Sequence, residues 1–120
     1  MASLPREEPL DDEAKRRIAE NESRFRAANE RIEDAGERFG VDVSALPFIC
    51  ECGRPTCVVV IRVTIPDYED VRAEPRQFMC AKGHEITADG MGRVVREGEG
   101  FVVVEKLGVA GEVAENHDPR

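Results

Sequence analysis

The sequence predicts an α+β fold: a long N-terminal helix followed by a small, mainly antiparallel sheet with one short helix. Three observations carry this expectation. From about Asp11 to Arg38, acids stand four residues ahead of bases at Glu13/Arg17, Glu20/Arg24 and Glu22/Arg26, the spacing that pairs charges along a helix. After that stretch the apolar period changes to two. Cys57, Val59, Ile61, Val63 and Ile65 then share one strand face, and Val58, Val60, Arg62 and Thr64 the other. A cluster of Cys and His side chains lies in this second part, at 50–57 and 80–84.

Element by element, residues 1–10 carry Pro5 and Pro9 among polar and charged side chains and read as a disordered lead. Residues 11–40 form the helix. Asp11 or Asp12 caps its start, Gly40 is a natural stop, and its length is roughly 40 Å at about 1.5 Å per residue. Ile18, Phe25, Ile32 and Phe39 recur along it every seven residues, with Asn21, Ala28 and Ala35 three positions after the first three. This is a narrow seam of large and small residues. It either lies across the helix's own domain or docks on a protein partner or a second copy. A line of four large side chains outreaches a small sheet, so its N-terminal end at Ile18 and Phe25 is expected to project.

Residues 46–107 hold the small α+β unit. Thr64 caps a short helix, with Asp67 completing a capping box and Pro66 tolerated in the first turn. That helix runs to about Ala73 and stops before Pro75. Residues 76–80 read as a strand and Ala81–His84 as a turn. Residues 91–97 and 100–106 form a hairpin around Gly98-Glu99-Gly100, with Val102, Val103 and Val104 as a buried run. Residues 108–120 read as a polar tail with at most a turn or two of helix, and His117 in it as inert.

Composition excludes several functions. The net charge is −8 and is spread evenly, which argues against a phosphate-tracking nucleic-acid binder. No apolar run approaches the roughly 20 residues that span a bilayer, so no membrane partner is expected. The N-terminus lacks a basic start followed by an apolar stretch, so the expected location is cytoplasmic. There the four cysteines serve as metal ligands or reactive thiols rather than disulfides. With no Trp and one Tyr, the core must be mostly aliphatic.

Cys50, Cys52 and Cys57 lie in Cys-Glu-Cys-Gly-Arg-Pro-Thr-Cys, and Cys80 and His84 in Cys-Ala-Lys-Gly-His. Alternation puts Cys50 and Cys52 on one face, and the turn after Gly53 folds Cys57 back towards them. Gly53 supplies the dihedrals a metal-binding knuckle needs. Four soft ligands in a tetrahedron suit Zn²⁺. Five candidates compete for four places: Cys50, Cys52, Cys57 and His84 form the favoured set, because a turn presents an imidazole freely and Cys80 ends a strand beside Phe78. Cys80 is the alternative fourth ligand. Iron–sulfur ligation by all four cysteines is the other metal reading, although the spacing matches neither common ferredoxin run. Arg54 and Lys82, in the same loops, are ordinary solvated turn residues or offset the thiolate charge.

Several stretches resemble an uncharacterised family of short soluble proteins frequent in high-GC actinobacteria. They are Asn21–Ile32 (NESRFRAANERI), Phe48–Gly53 (FICECG), Cys57, Asp67–Arg72 (DYEDVR), Gly83–Glu85 (GHE) and Val103–Lys106 (VVEK). The resemblance spans residues 20 to 107 and implies no activity. It does imply the three cysteines and His84 as ligands, with Cys80 a departure where an apolar residue is usual.

The leading functional expectation is a non-enzymatic, zinc-stabilised interaction or regulatory module with a docking helix. The alternatives are a thiol-based redox or metal sensor using Cys80 beside the site, and a zinc-dependent hydrolase. The hydrolase needs an open metal position and a general base. Glu51 and Glu85 are the available carboxylates, and both read better as solvated loop acids. Strong sulfur donation also weakens the metal as a Lewis acid.

Overall fold

The structure, a computed structural model, describes residues 9–38 and 45–120. Helix α1 spans Asp12–Arg38. Asp11 caps it as its sequence implied, Oδ1 accepting from the Ala14 N–H at 2.8 Å. Most of the expected disordered lead, and Phe39 and Gly40 at the expected helix end, lie outside the described residues. Leu10 lies inside them. Its N–H donates to Asp89 Oδ2 at 3.0 Å, and its side chain joins Ile18, Ala19, Met91 and Ala110 in an apolar cluster.

Strands β1 (Leu46–Ile49) and β2 (Val60–Val63) pair antiparallel, with Phe48 opposite Ile61. β2 keeps the predicted alternation over its own length, with Ile61 and Val63 buried and Val60 and Arg62 exposed, but the strand begins later than expected and Val59, placed on the buried face by the pattern, is exposed. Helix α2 (Ile65–Arg72) follows, capped by Thr64 Oγ1, which accepts from the Asp67 N–H at 3.1 Å. A second sheet holds β3 (Gln77–Ala81), β4 (Gly92–Glu97) and β5 (Phe101–Lys106) in the antiparallel order β3-β5-β4. The register shifts between Val94 and Arg96, a bulge that leaves Val95 unpaired. The main core lies between the sheets and α2. Phe48 and Tyr68 stack there at 4.3 Å between ring centroids, with Ile61, Val63, Val71, Met79 and Val102–Val104 around them.

The face of α1 that enters the fold is not the one marked by the apolar seam. The buried positions are Ala19, Glu22, Ser23, Arg26, Asn29, Glu33 and Gly36. Ala19, Arg26 and Glu33 repeat every seven residues, as do Glu22, Asn29 and Gly36; the expected period is present, one residue out of phase. Ile18 and Ile32 pack at the edges of the two apolar clusters, and Phe25 is half-buried. The buried stripe is polar because each charged or amide group on it meets a partner from a distant element. The expected Glu22/Arg26 pair along the helix is replaced by two long-range contacts. Glu22 Oε2 accepts from Lys106 Nζ at 3.0 Å, both side chains nearly sealed from water. Arg26 donates to the carbonyls of Pro75 and Ala114 at 2.6 and 2.7 Å, and its guanidinium lies 4.3 Å above the Phe78 ring.

The C-terminal segment also departs from its expectation as a polar tail. Gly108–Asn116 forms a third helix, α3, whose Ala110, Gly111 and Ala114 are buried, and it packs on α1. Its small residues permit close approach, and the Ala114 carbonyl to which Arg26 donates lies in its last turn, where unpaired carbonyls need donors. A weak apolar pattern understated this helix because much of its buried face is alanine and glycine.

Candidate metal centre

Cys50 follows β1 directly, and its N–H still donates to the Val59 carbonyl at 3.0 Å, extending the β1–β2 ladder. At Gly53 the backbone turns with φ +74°, a conformation that favours glycine. The Cys57 N–H then donates to the Arg54 carbonyl at 3.0 Å, closing the turn that returns Cys57. On the other side, β3 ends in a turn in which the His84 N–H donates to Ala81 O at 2.9 Å and Gly83 takes φ +88°. Glu85 is not free in solvent: its Oε1 accepts from the Gly83 N–H at 2.8 Å and fixes this turn.

These two loops converge. The Sγ atoms of Cys50, Cys52 and Cys57 and a ring nitrogen of His84 all lie within 4.8 Å of one another. His84 Nδ1 is 3.7 Å from Cys50 Sγ and 3.5 Å from Cys57 Sγ. Cys50 and Cys52 are buried, Cys57 and His84 half-buried, and all four cysteines are free. The grouping has the donor types and spacing of a metal-binding site.

Cys80 is not among these four clustered donors. It lies on β3 opposite Val102, is 2% exposed and belongs to the main core. Its thiol neighbours that of Cys50, and the two shift each other in opposite directions. Cys80 pulls the Cys50 thiol down, helped by the Ala81 N–H, which donates to Cys50 Sγ at 3.2 Å. Cys50, with burial, pushes the Cys80 thiol up. Burial, with the neighbouring Cys57 and Cys50 adding to it, pushes Cys52 up to about 12, and a bound cation is what offsets such a penalty in a thiolate site.

Glu51 was missed by the sequence reading, both as a solvated acid and as a catalytic base. It is 0% exposed. Its carboxylate accepts from Asn29 Nδ2 at 2.7 Å and from the Met79 N–H at 2.9 Å, while its own N–H donates to the Met79 carbonyl at 2.9 Å. Asn29 also exchanges hydrogen bonds with both backbone groups of Ile49, at 2.8 Å each. Glu51 thus ties α1 and β3 to the loop between Cys50 and Cys52. The available signal was alternation: Cys50 and Cys52 share a face, so Glu51 must point away from them, into the protein. Arg54 is exposed, and the exposed Lys82 pairs with Glu97 across 3.9 Å; neither approaches as a buried counter-ion.

A cleft of about 610 Å³ lies elsewhere, lined by Arg62, Thr64, Asp67, Arg96, Glu99 and Phe101. No helix among the described residues is long and apolar enough to cross a membrane. No family model, curated protein or solved structure matches this chain.

Proposed function

We propose that this chain is a small interaction or regulatory module whose fold is pinned by one structural zinc ion held by Cys50, Cys52, Cys57 and His84. The observation that carries the proposal is the convergence of those four donor atoms within 4.8 Å of one another. Zinc–sulfur bonds of about 2.3 Å and zinc–nitrogen bonds of about 2.0–2.1 Å, set tetrahedrally, place sulfur and nitrogen ligands about 3.5 Å apart. The 3.5 and 3.7 Å separations at His84 match that edge. Four protein ligands fill a tetrahedron and favour a structural site over a catalytic one. The zinc would join the end of β1 to the turn after β3, linking the two sheets.

The hydrolase alternative loses its support with Glu51 bolted inside and Glu85 bonded to its own turn. The redox alternative requires Cys80 to meet an oxidant, and at 2% exposure it is shielded from one. Elemental analysis of protein purified without added metal tests the main proposal. One zinc per chain is the expected result, with Cys52→Ser losing it and Cys80→Ser keeping it. Iron, no metal, or equal loss in both variants would overturn the assignment.

Docking through α1 is the partner role we propose, and it rests on Phe25, the one described large seam residue that joins neither apolar cluster. A protein partner or a second copy would cover it. Phe25→Glu should abolish association, read as mass in solution, with little change in melting temperature. A large stability loss at unchanged mass would assign Phe25 to internal packing and remove the docking role.

A further inference from the structure

The segment after α3 ends in a contact unlike an ordinary surface ion pair. Arg120 Nε donates to Glu30 Oε1 at 2.7 Å and Nη2 to Glu30 Oε2 at 3.2 Å. Nη1 and Nη2 donate to the two oxygens of Glu69 at 3.0 and 2.6 Å. Nη2 also reaches Glu33 Oε1 at 3.1 Å. One carboxylate therefore takes the side of the guanidinium fork, a second takes its end, and a third shares the Nη2 that already meets both. This geometry fits a planar five-donor group and does not fit a lysine ammonium.

The recess is built by groups other than its occupant. Glu30 and Glu33 stand three apart on α1, and Glu69 comes from α2. Tyr68 Oη donates to Glu30 Oε2 at 2.6 Å, and Arg72 Nε lies 3.3 Å from the same oxygen. Asp118 pairs with Arg72 through Nη2. Glu33 is only 6% exposed, and its Oε2 has no hydrogen-bond donor. A buried carboxyl group with one oxygen on the guanidinium and the other without a donor sets this recess apart from a chance grouping of surface acids. The Arg120 side chain, by contrast, is 36% exposed and enters from the solvent side.

We propose that the recess formed by Glu30, Glu33 and Glu69 is a guanidinium-binding site, held in cis by Arg120, and that it accepts a guanidinium from solution once that side chain is removed. The segment from Asp118 to Arg120 then acts as a resident ligand strapping α3's end to α1 and α2. The proposal is independent of the metal centre.

The test uses the full-length protein, the Arg120→Ala variant and methylguanidinium chloride, with methylammonium chloride as the control cation. Arg120→Ala should melt several degrees below the wild type. About 20 mM methylguanidinium should raise the variant's melting temperature by about 2–4 °C more than methylammonium does, through mass action on the folded state. The wild type, with its site filled, should show no such difference, and adding Glu69→Gln to the variant should abolish it. Arg120→Lys, which keeps the charge without the fork, should also melt below the wild type. Equal responses to the two cations, the same selective rise in the wild type, or an Arg120→Lys variant as stable as the wild type would each overturn the proposal.

Discussion

Glu22, Glu33 and Glu51 are carboxylates that the fold places out of water, and each is pushed upwards by burial, Glu22 and Glu51 to about 7 and Glu33 to about 8. Lys106 opposes the shift at Glu22, and Asn29 and the Met79 N–H oppose it at Glu51. At Glu33 the neighbouring Glu69 adds to burial, and Arg120 pulls the other way. Glu33 gives the cleanest prediction. Its ordinary value is 4.5, so between that and about 8 the folded chain binds its proton more tightly than the unfolded chain does. The stabilisation from this group is complete below the unfolded value and is lost as pH rises through the folded one. Glu33→Gln holds the neutral form throughout. Relative to the wild type, its stability to denaturant should therefore climb from about pH 5 to about pH 8 and then level off. A gap between the two proteins that does not change with pH would contradict this account.

At the scale of elements, the cysteine loop at Gly53 is pressed closely against α1. A Cβ on Gly53 would lie 2.8 Å from Glu22 Cγ, 3.0 Å from Glu22 N and 3.2 Å from Ile18 O. Its φ of +74° disfavours any side chain as well. Gly53→Ala is therefore expected to lose stability by about 1–3 kcal/mol, from strain and overpacking together, and to bind metal more weakly, because the loop must lift from the helix. Retained metal affinity with wild-type unfolding would show that the loop does not depend on α1. The same helix meets β1 at its other end, where a Cβ on Gly36 would lie 2.7 Å from Leu46 Cδ1. α1 is thus the spine on which β1, the ligand loop and α3 are all set.

Across the whole molecule, three polar devices hold elements that are distant in sequence. The Glu22–Lys106 pair joins α1 to β5, Glu51 joins the ligand loop to α1 and β3, and Arg72 with Glu30 and Asp118 joins α2, α1 and the end of the chain. Losing one member of a buried pair leaves the other charge stranded, at a cost of about 3–5 kcal/mol. The metal would act in parallel with these contacts, tying the end of β1 to the turn after β3. Chelation is therefore expected to lower the melting temperature strongly and to strip order first from the β1–β2 sheet and the loop at 50–57. Hydrogen exchange with and without chelator reads this directly. Equal loss of protection in α3 and in the β1–β2 sheet would mean that the metal supports the whole fold uniformly.

The sequence by itself determined the α1 start at Asp11, the cap at Thr64, the β4–β5 hairpin and the separate turns that carry Cys50–Cys57 and His84. Each of these rests on neighbours within a few residues, through capping oxygens, alternating faces, and glycines where φ must be positive. Tertiary structure alone decided which face of α1 is buried, that Gly108–Asn116 is helical, and that Glu51 is internal. The reason is physical. A polar side chain can be buried only where a partner waits, and the partners of Glu22, Asn29, Arg26 and Glu51 come from residues 20 to 88 positions away. Hydrophobic periodicity marks the line of large apolar residues at Ile18, Phe25 and Ile32. It cannot mark a stripe whose burial is made favourable by hydrogen bonds that exist only after the chain has folded.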